Sequence, residues 1–179
     1  MFIFRCLSGR GIVNVRRRAM SLVTDVPDKV ELCFSVPVEY MKPNRKELKS
    51  RYDVIESDYD VDKYKPIHGL ERVGGRNRVR NFGLYRCFRT FAHYPILEII
   101  YDKGLRPGLY EELLSFDYKF PEEKRRLPIG AQGSVVDCVY GVPCSPTVFF
   151  STEGERVLSG EWVERGWHPN YYQLLVTAR

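Results

Sequence analysis

The chain has 179 residues, room for one domain or one domain with long extensions, and its 44% apolar content can form a buried core, which excludes global disorder. No run of about 18 apolar residues occurs, so the sequence contains no membrane-spanning helix. The net charge of +5 suggests nucleic acid until its distribution is read: residues 1–24 hold five arginines and no acid, and beyond them 23 basic residues balance 23 acids.

In that first segment Arg5, Arg10, Arg16, Arg17 and Arg18 interleave with Phe2, Ile3, Phe4, Leu7, Ile12, Val13 and Val15. An Arg-rich, acid-free stretch with an apolar face is the pattern of a mitochondrial targeting segment, whereas a secretory signal needs an uninterrupted apolar run. Asp25 is the first acid and Pro27 breaks any helix, so cleavage near Arg18–Ser21 and import into the matrix are expected. The same composition also suits a basic surface arm, or an extension upstream of a start at Met20.

Val30, Leu32, Phe34, Val36 and Val38 alternate with polar residues, the period of a half-buried strand, and Pro37 predicts an edge position or a strand end. Asn44 stands three residues before Glu47, the spacing of a helix N-cap, and Leu48, Tyr52 and Ile55 then predict one helical face. Asp58, Asp60 and Asp62 mimic the start of a calcium loop, but Lys63 and Gly69 occupy the positions of its glycine and its bidentate glutamate. The acids therefore read as a solvated face or as partners for nearby arginines.

Residues 71–90 contain six arginines and one acid. In an extended chain Arg76, Arg78 and Arg80 point the same way, and with Arg86, Arg89 and the rings of Phe82 and Tyr85 they form a candidate RNA-contacting strip; pairing with Asp53, Glu56, Asp58, Asp60 and Asp62 is the alternative. Pro95 to Tyr101 is an apolar run that fits a strand or a buried helix. Pro107 suits the first turn of a helix through Phe116, and the charged residues 117–127 read as a linker.

From Leu127 the pattern is all β: Gly130 and Gly133 around a turn, a strand over Ser134–Tyr140, a turn at Gly141–Pro143, strands at Thr147–Phe150 and Gln173–Thr177. A left-handed backbone at Gly133 is expected to make it intolerant of a side chain. The stretch Leu127-Pro128-Ile129-Gly130-Ala131-Gln132-Gly133-Ser134-Val135-Val136, followed by Thr147-Val148-Phe149-Phe150, resembles the glycine-driven motif of SH3-like and KOW-like barrels. Such barrels occur in ribosomal proteins and in the C-terminal region of 5′–3′ exoribonucleases. The acidic run of the exoribonuclease version is missing after Phe150, so the resemblance implies a binding module rather than a nuclease. The fold expected is α+β, mainly β: a leader over 1–24, an α+β region with the arginine cluster over 25–120, and an SH3-like barrel over 121–179. Trp162, Trp167, Tyr171 and Tyr172 are candidate interface residues at one end of that barrel.

Cys138 and Cys144 flank a turn, which leaves a disulfide, half a metal site or two buried apolar residues open. No C-x-x-C pair, G-x-S-x-G or H-E-x-x-H frame occurs, and Glu111-Glu112 and Glu122-Glu123 read as solvated. The expectation is a non-catalytic protein without cofactor or metal. It is a structural component of a mitochondrial ribonucleoprotein, a ribosomal protein contacting rRNA and neighbouring subunits, or else an accessory subunit of a respiratory-chain or ATP synthase complex.

Overall fold

A computed structural model of the protein describes residues 34–40, 44–58, 60–67, 70, 78–86, 90, 93–123 and 127–177. The leader over 1–24, the Gly74-Gly75 pair, Arg76 and Arg89 lie outside the described residues. In chain order the elements are β1 (Phe34–Val38), α1 (Arg45–Arg51), β2 (Val54–Ile55), β3 (Lys65–Pro66), β4 (Arg78–Arg86), α2 (His93–Asp102), β5 (Leu105–Pro107) and α3 (Tyr110–Lys119). The last five strands are β6 (Ile129–Gly130), β7 (Ser134–Asp137), β8 (Pro143–Phe150), β9 (Arg156–Trp162) and β10 (Tyr172–Thr177). The fold is sheet-rich α+β, as expected.

The strands form one mixed sheet in the order β1-β4-β10-β6-β8-β7-β3, with β5 added on β10 and β9 on β8. The sheet is not closed, and it does not confirm the expected SH3-like barrel. The reason lies in β10. One of its edges pairs antiparallel with β4, Leu174 opposite Leu84, while Tyr172 and Gln173 run parallel to Ile129 and Gly130 and Leu175–Thr177 take β5. With one edge of β10 taken by β4 and the other shared between β6 and β5, the strand is spent on the wider sheet.

Locally encoded elements fall where their residues predict. In β1, Val36 and Val38 are buried and Ser35 and Pro37 exposed; β1 ends the strand order, so Pro37 sits on an edge strand. Asn44 caps α1 by accepting the Glu47 N–H at 2.9 Å. That helix stops at Arg51, however: Tyr52 is extended and Ile55 belongs to β2, so the expected face is shorter than a Leu48–Tyr52–Ile55 stripe. The apolar run at Pro95–Tyr101 is helical, with Ile96 and Ile100 one turn apart and fully buried.

Two expectations fail at α3. Pro107 does not start the helix but ends β5, opposite Leu175, and α3 runs on through Lys119 into the supposed linker. Glu111 and Glu112 are buried rather than solvated. The N-terminus of α3 is capped across the fold instead, the Tyr110 N–H donating to Ser134 Oγ at 2.9 Å.

The main core joins Val36, Leu48, Phe82, Leu113, Phe116, Val148, Leu158 and Leu174, running across position 121 without interruption. Phe116 is its aromatic hub, edge-on to Phe34 at 5.0 Å and to Phe82 at 5.9 Å. A second cluster packs α2 against Tyr85, Leu105, Trp167 and Leu175. Gly133 has no left-handed backbone; the positive-φ glycines among the described residues are 104, 141, 154 and 166. Its constraint is proximity: a Cβ there would lie 2.6 Å from the Gly108 carbonyl oxygen and 2.7 Å from that of Pro107.

Candidate functional site

The β8–β9 hairpin sorts its side chains by parity. Cys144, Val148 and Leu158 enter the main core. Thr147 and its cross-strand partner Ser159, with Phe149 and Glu161, line a cleft instead. The cleft encloses about 440 Å³. Its far wall is assembled from distant chain segments. The parallel β2–β9 pair carries Glu56 against Ser159, whose hydroxyl donates to Glu56 Oε2, and Asp58 follows, its carbonyl accepting the Val139 N–H at 3.1 Å. Tyr171, ahead of β10, donates its hydroxyl to Glu161 Oε2 at 2.8 Å. Tyr140 and Trp162, 73% and 38% exposed, form the rim, and Cys138 contributes at the β7–β8 turn.

Three carboxylates therefore surround one hollow whose described lining contains no Lys, Arg or His. The hydroxyl of Thr147, also in the lining, is buried and has no hydrogen-bond partner among the described residues. Such a surface repels phosphate and attracts cations, and exposed tyrosine and tryptophan faces add cation–π attraction for a guanidinium or ammonium group. Among the described residues no group of three or more His, Cys, Asp or Glu is arranged to hold a metal ion, and no helix is long and apolar enough to cross a membrane.

A second polar cluster lies inside. Glu112, at the start of α3, accepts from Arg106 Nη2 (2.6 Å) and Tyr40 Oη (2.6 Å) on one oxygen, and from Arg106 Nη1 (2.7 Å) and the Leu109 N–H (2.8 Å) on the other. Arg80 donates to Tyr40 Oη at 2.9 Å and stands 4.0 Å from the carboxylate. Burial opposes the ionised form of Glu112, but the Arg106 bonds and charge, with Tyr40 and Leu109, outweigh it and hold the carboxyl below its ordinary value. Burial first, then the Glu112 charge, pushes the Tyr40 phenol up. With four donors on it, this carboxylate joins the segment just after β1, β5 and α3, and through Tyr40 it reaches Arg80 of β4.

The sequence-predicted residues divide accordingly. In β4, Arg78 and Arg86 are exposed, Arg86 donating to the Pro169 carbonyl at 2.8 Å. Arg80 turns inward, and Phe82 is fully buried, so its ring is not offered to a base; Tyr85 is buried too. Of the acids over 53–62, Asp53 engages Arg156 at 3.1 Å and Asp60 engages Lys63 at 2.9 Å. Of the four candidate interface aromatics, Trp162 and Tyr171 meet at the cleft. Trp167 is wholly inside the second cluster, so its ring is not available to a partner, while Tyr172 is half-buried against the main core. Sequence reasoning missed Glu56, Asp58 and Glu161 as one group and Glu112 as a buried hub. Compared with models of protein families, with curated proteins and with solved structures, the chain matches none.

Proposed function

We propose that the chain is a non-catalytic docking subunit of a larger assembly, receiving a Lys- or Arg-bearing segment of a neighbouring protein in the cleft walled by Glu56, Asp58 and Glu161. The observation that carries this reading is the convergence of three carboxylates and the exposed rings of Tyr140 and Trp162 on one 440 Å³ hollow with no cation in its described lining. The assembly is a mitochondrial ribonucleoprotein of ribosomal type, a reading supported by the acid-free arginine leader and by the solvent-facing Arg78 and Arg86 of β4, which can meet rRNA phosphate. The inward placement of Arg80 and Phe82 supports the second reading, an accessory subunit of a protein-only mitochondrial complex. Sedimentation of a mitochondrial lysate with and without ribonuclease separates the two. Co-migration with a large particle that collapses after digestion fits the ribonucleoprotein, and co-migration indifferent to ribonuclease refutes it in favour of the protein-only complex. A chain that migrates alone refutes the docking reading.

A further inference from the structure

The floor of the acidic cleft is polar. Thr147 and Ser159 are cross-strand partners on the cleft side of the β8–β9 hairpin. The Ser159 hydroxyl is spent on Glu56. That of Thr147, a residue only 3% exposed, has no hydrogen-bond partner among the described residues. A buried hydroxyl left this way is destabilising, and an occupant of the cleft that offers it a hydrogen bond removes the deficit.

The walls are fixed before anything binds. Ser159 Oγ donates to Glu56 Oε2, and Tyr171 Oη donates to Glu161 Oε2 at 2.8 Å. Glu56 is thereby anchored at Ser159, two residues along the same face of β9 from Glu161, a backbone spacing of roughly 7 Å. Asp58 is the third acid of the lining, yet the three are spread around the hollow rather than focused on one point: among the described residues no such group is placed to hold a metal ion. A metal ion or a lysine ammonium is a compact charge and needs acceptors that converge. A guanidinium is planar and carries five N–H donors in a rigid fork, which suits acceptors that stand apart.

We propose that the cleft selects arginine: the guanidinium of a partner protein's arginine enters between Glu56 and Glu161, donates to both, reaches the Thr147 hydroxyl at the floor and stacks on the exposed Trp162 ring. The inference rests on the docking function proposed above and narrows its ligand from any cationic side chain to one. A hollow of about 440 Å³ is of small-ligand size and takes a single long side chain with its flanking backbone.

The test is isothermal titration of the full chain with matched peptides that carry arginine, lysine or citrulline at the same positions. The arginine peptide is expected to bind about 10-fold or more tighter than the lysine peptide, and the uncharged citrulline peptide not measurably. Thr147→Val keeps the shape of the side chain and loses no internal hydrogen bond. It should leave the thermal midpoint no lower than wild type while weakening the arginine peptide by about 10-fold, and Thr147→Ser, which retains the hydroxyl, should bind as wild type does. Equal affinity for arginine and lysine peptides, both weakened by Glu56→Gln/Glu161→Gln, overturns the selectivity and leaves the docking function standing. Binding of neither peptide overturns both. An arginine preference that persists in Glu56→Gln/Glu161→Gln overturns the cleft as its site, and one that persists in Thr147→Val overturns the floor contact.

Discussion

Replacing Glu112 with Gln keeps the shape of the side chain and removes a negative charge beside two buried guanidiniums. Arg106 is 7% exposed and Arg80 6%, so water cannot replace the lost counter-charge. Breaking a buried ion pair from one side costs roughly 3–5 kcal/mol. The new amide also turns an NH2 group toward donors that previously met an acceptor, so the upper half of that range applies. For a chain of this size about 1 kcal/mol corresponds to roughly 2–4 °C in Tm, which puts the drop at roughly 8–20 °C. The deficit should also depend on pH. Because the folded Glu112 carboxyl titrates below its ordinary value of 4.5, its contribution is complete above that pH and fades as pH falls further through the folded value. Urea midpoints of wild type and Glu112→Gln should therefore differ most at neutral pH and converge in acid. Midpoints within about 1 kcal/mol at pH 7, or a gap that stays constant into acid, would refute the assignment of Glu112 as the ionised hub of the core.

Gly133→Ala forces a methyl against two backbone oxygens and should destabilise by roughly 1–3 kcal/mol or more, exceeding Gly141→Ala, where only the left-handed φ opposes the change; the order of their thermal midpoints checks this. Asn44→Ala removes the cap of a seven-residue helix and should cost about 0.5–2 kcal/mol in chemical denaturation. Binding of an oligo-arginine peptide, followed by Trp162 fluorescence, should weaken roughly 2- to 30-fold in Glu56→Gln/Glu161→Gln, taking about 0.2–1 kcal/mol for each partly exposed charge pair; unchanged affinity removes the cleft as the peptide's site.

What the sequence disclosed was what neighbouring residues decide among themselves. The period-two pattern of β1 and the Asn44–Glu47 cap need no distant partner, and both are where they were expected. Pro107 shows the opposite case: its fixed φ suits a helix start, but the β10 ladder claims it as Leu175's partner. Strand β9 went unread because Ser159, Gly160 and Glu161 interrupt its apolar pattern; they do so because that part of the strand lines the cleft. Polarity was taken for exposure at Glu111-Glu112, whereas Arg106 and Tyr40 supply the interior with the donors that make burial affordable. The cleft itself depends on Glu56 meeting Ser159 across 103 residues, a contact made by a two-residue parallel bridge that no local pattern announces.

The arginine strip illustrates how burial changes the design of an RNA-binding experiment. Substituting Arg76, Arg78 and Arg80 together would be the natural choice from sequence, since the three share a face of an extended strand. The middle of that face, Arg80 and Phe82, is buried, so Arg80→Ala would disturb the Glu112 hub and confound any loss of RNA affinity with a loss of stability. Arg78 and Arg86 are exposed on the same strand and reach solvent without touching Glu112, so Arg78→Ala/Arg86→Ala isolates the electrostatic contribution. Each phosphate contact removed from single-stranded RNA should flatten the dependence of log K on log salt by about 0.7, giving a change of about 1.4 for the pair if both side chains meet the backbone. The thermal midpoint should stay within about 0.5 kcal/mol of wild type, as befits exposed positions. A salt slope unaltered by the double substitution, in a protein that remains as stable as wild type, would assign the exposed end of β4 no part in RNA contact.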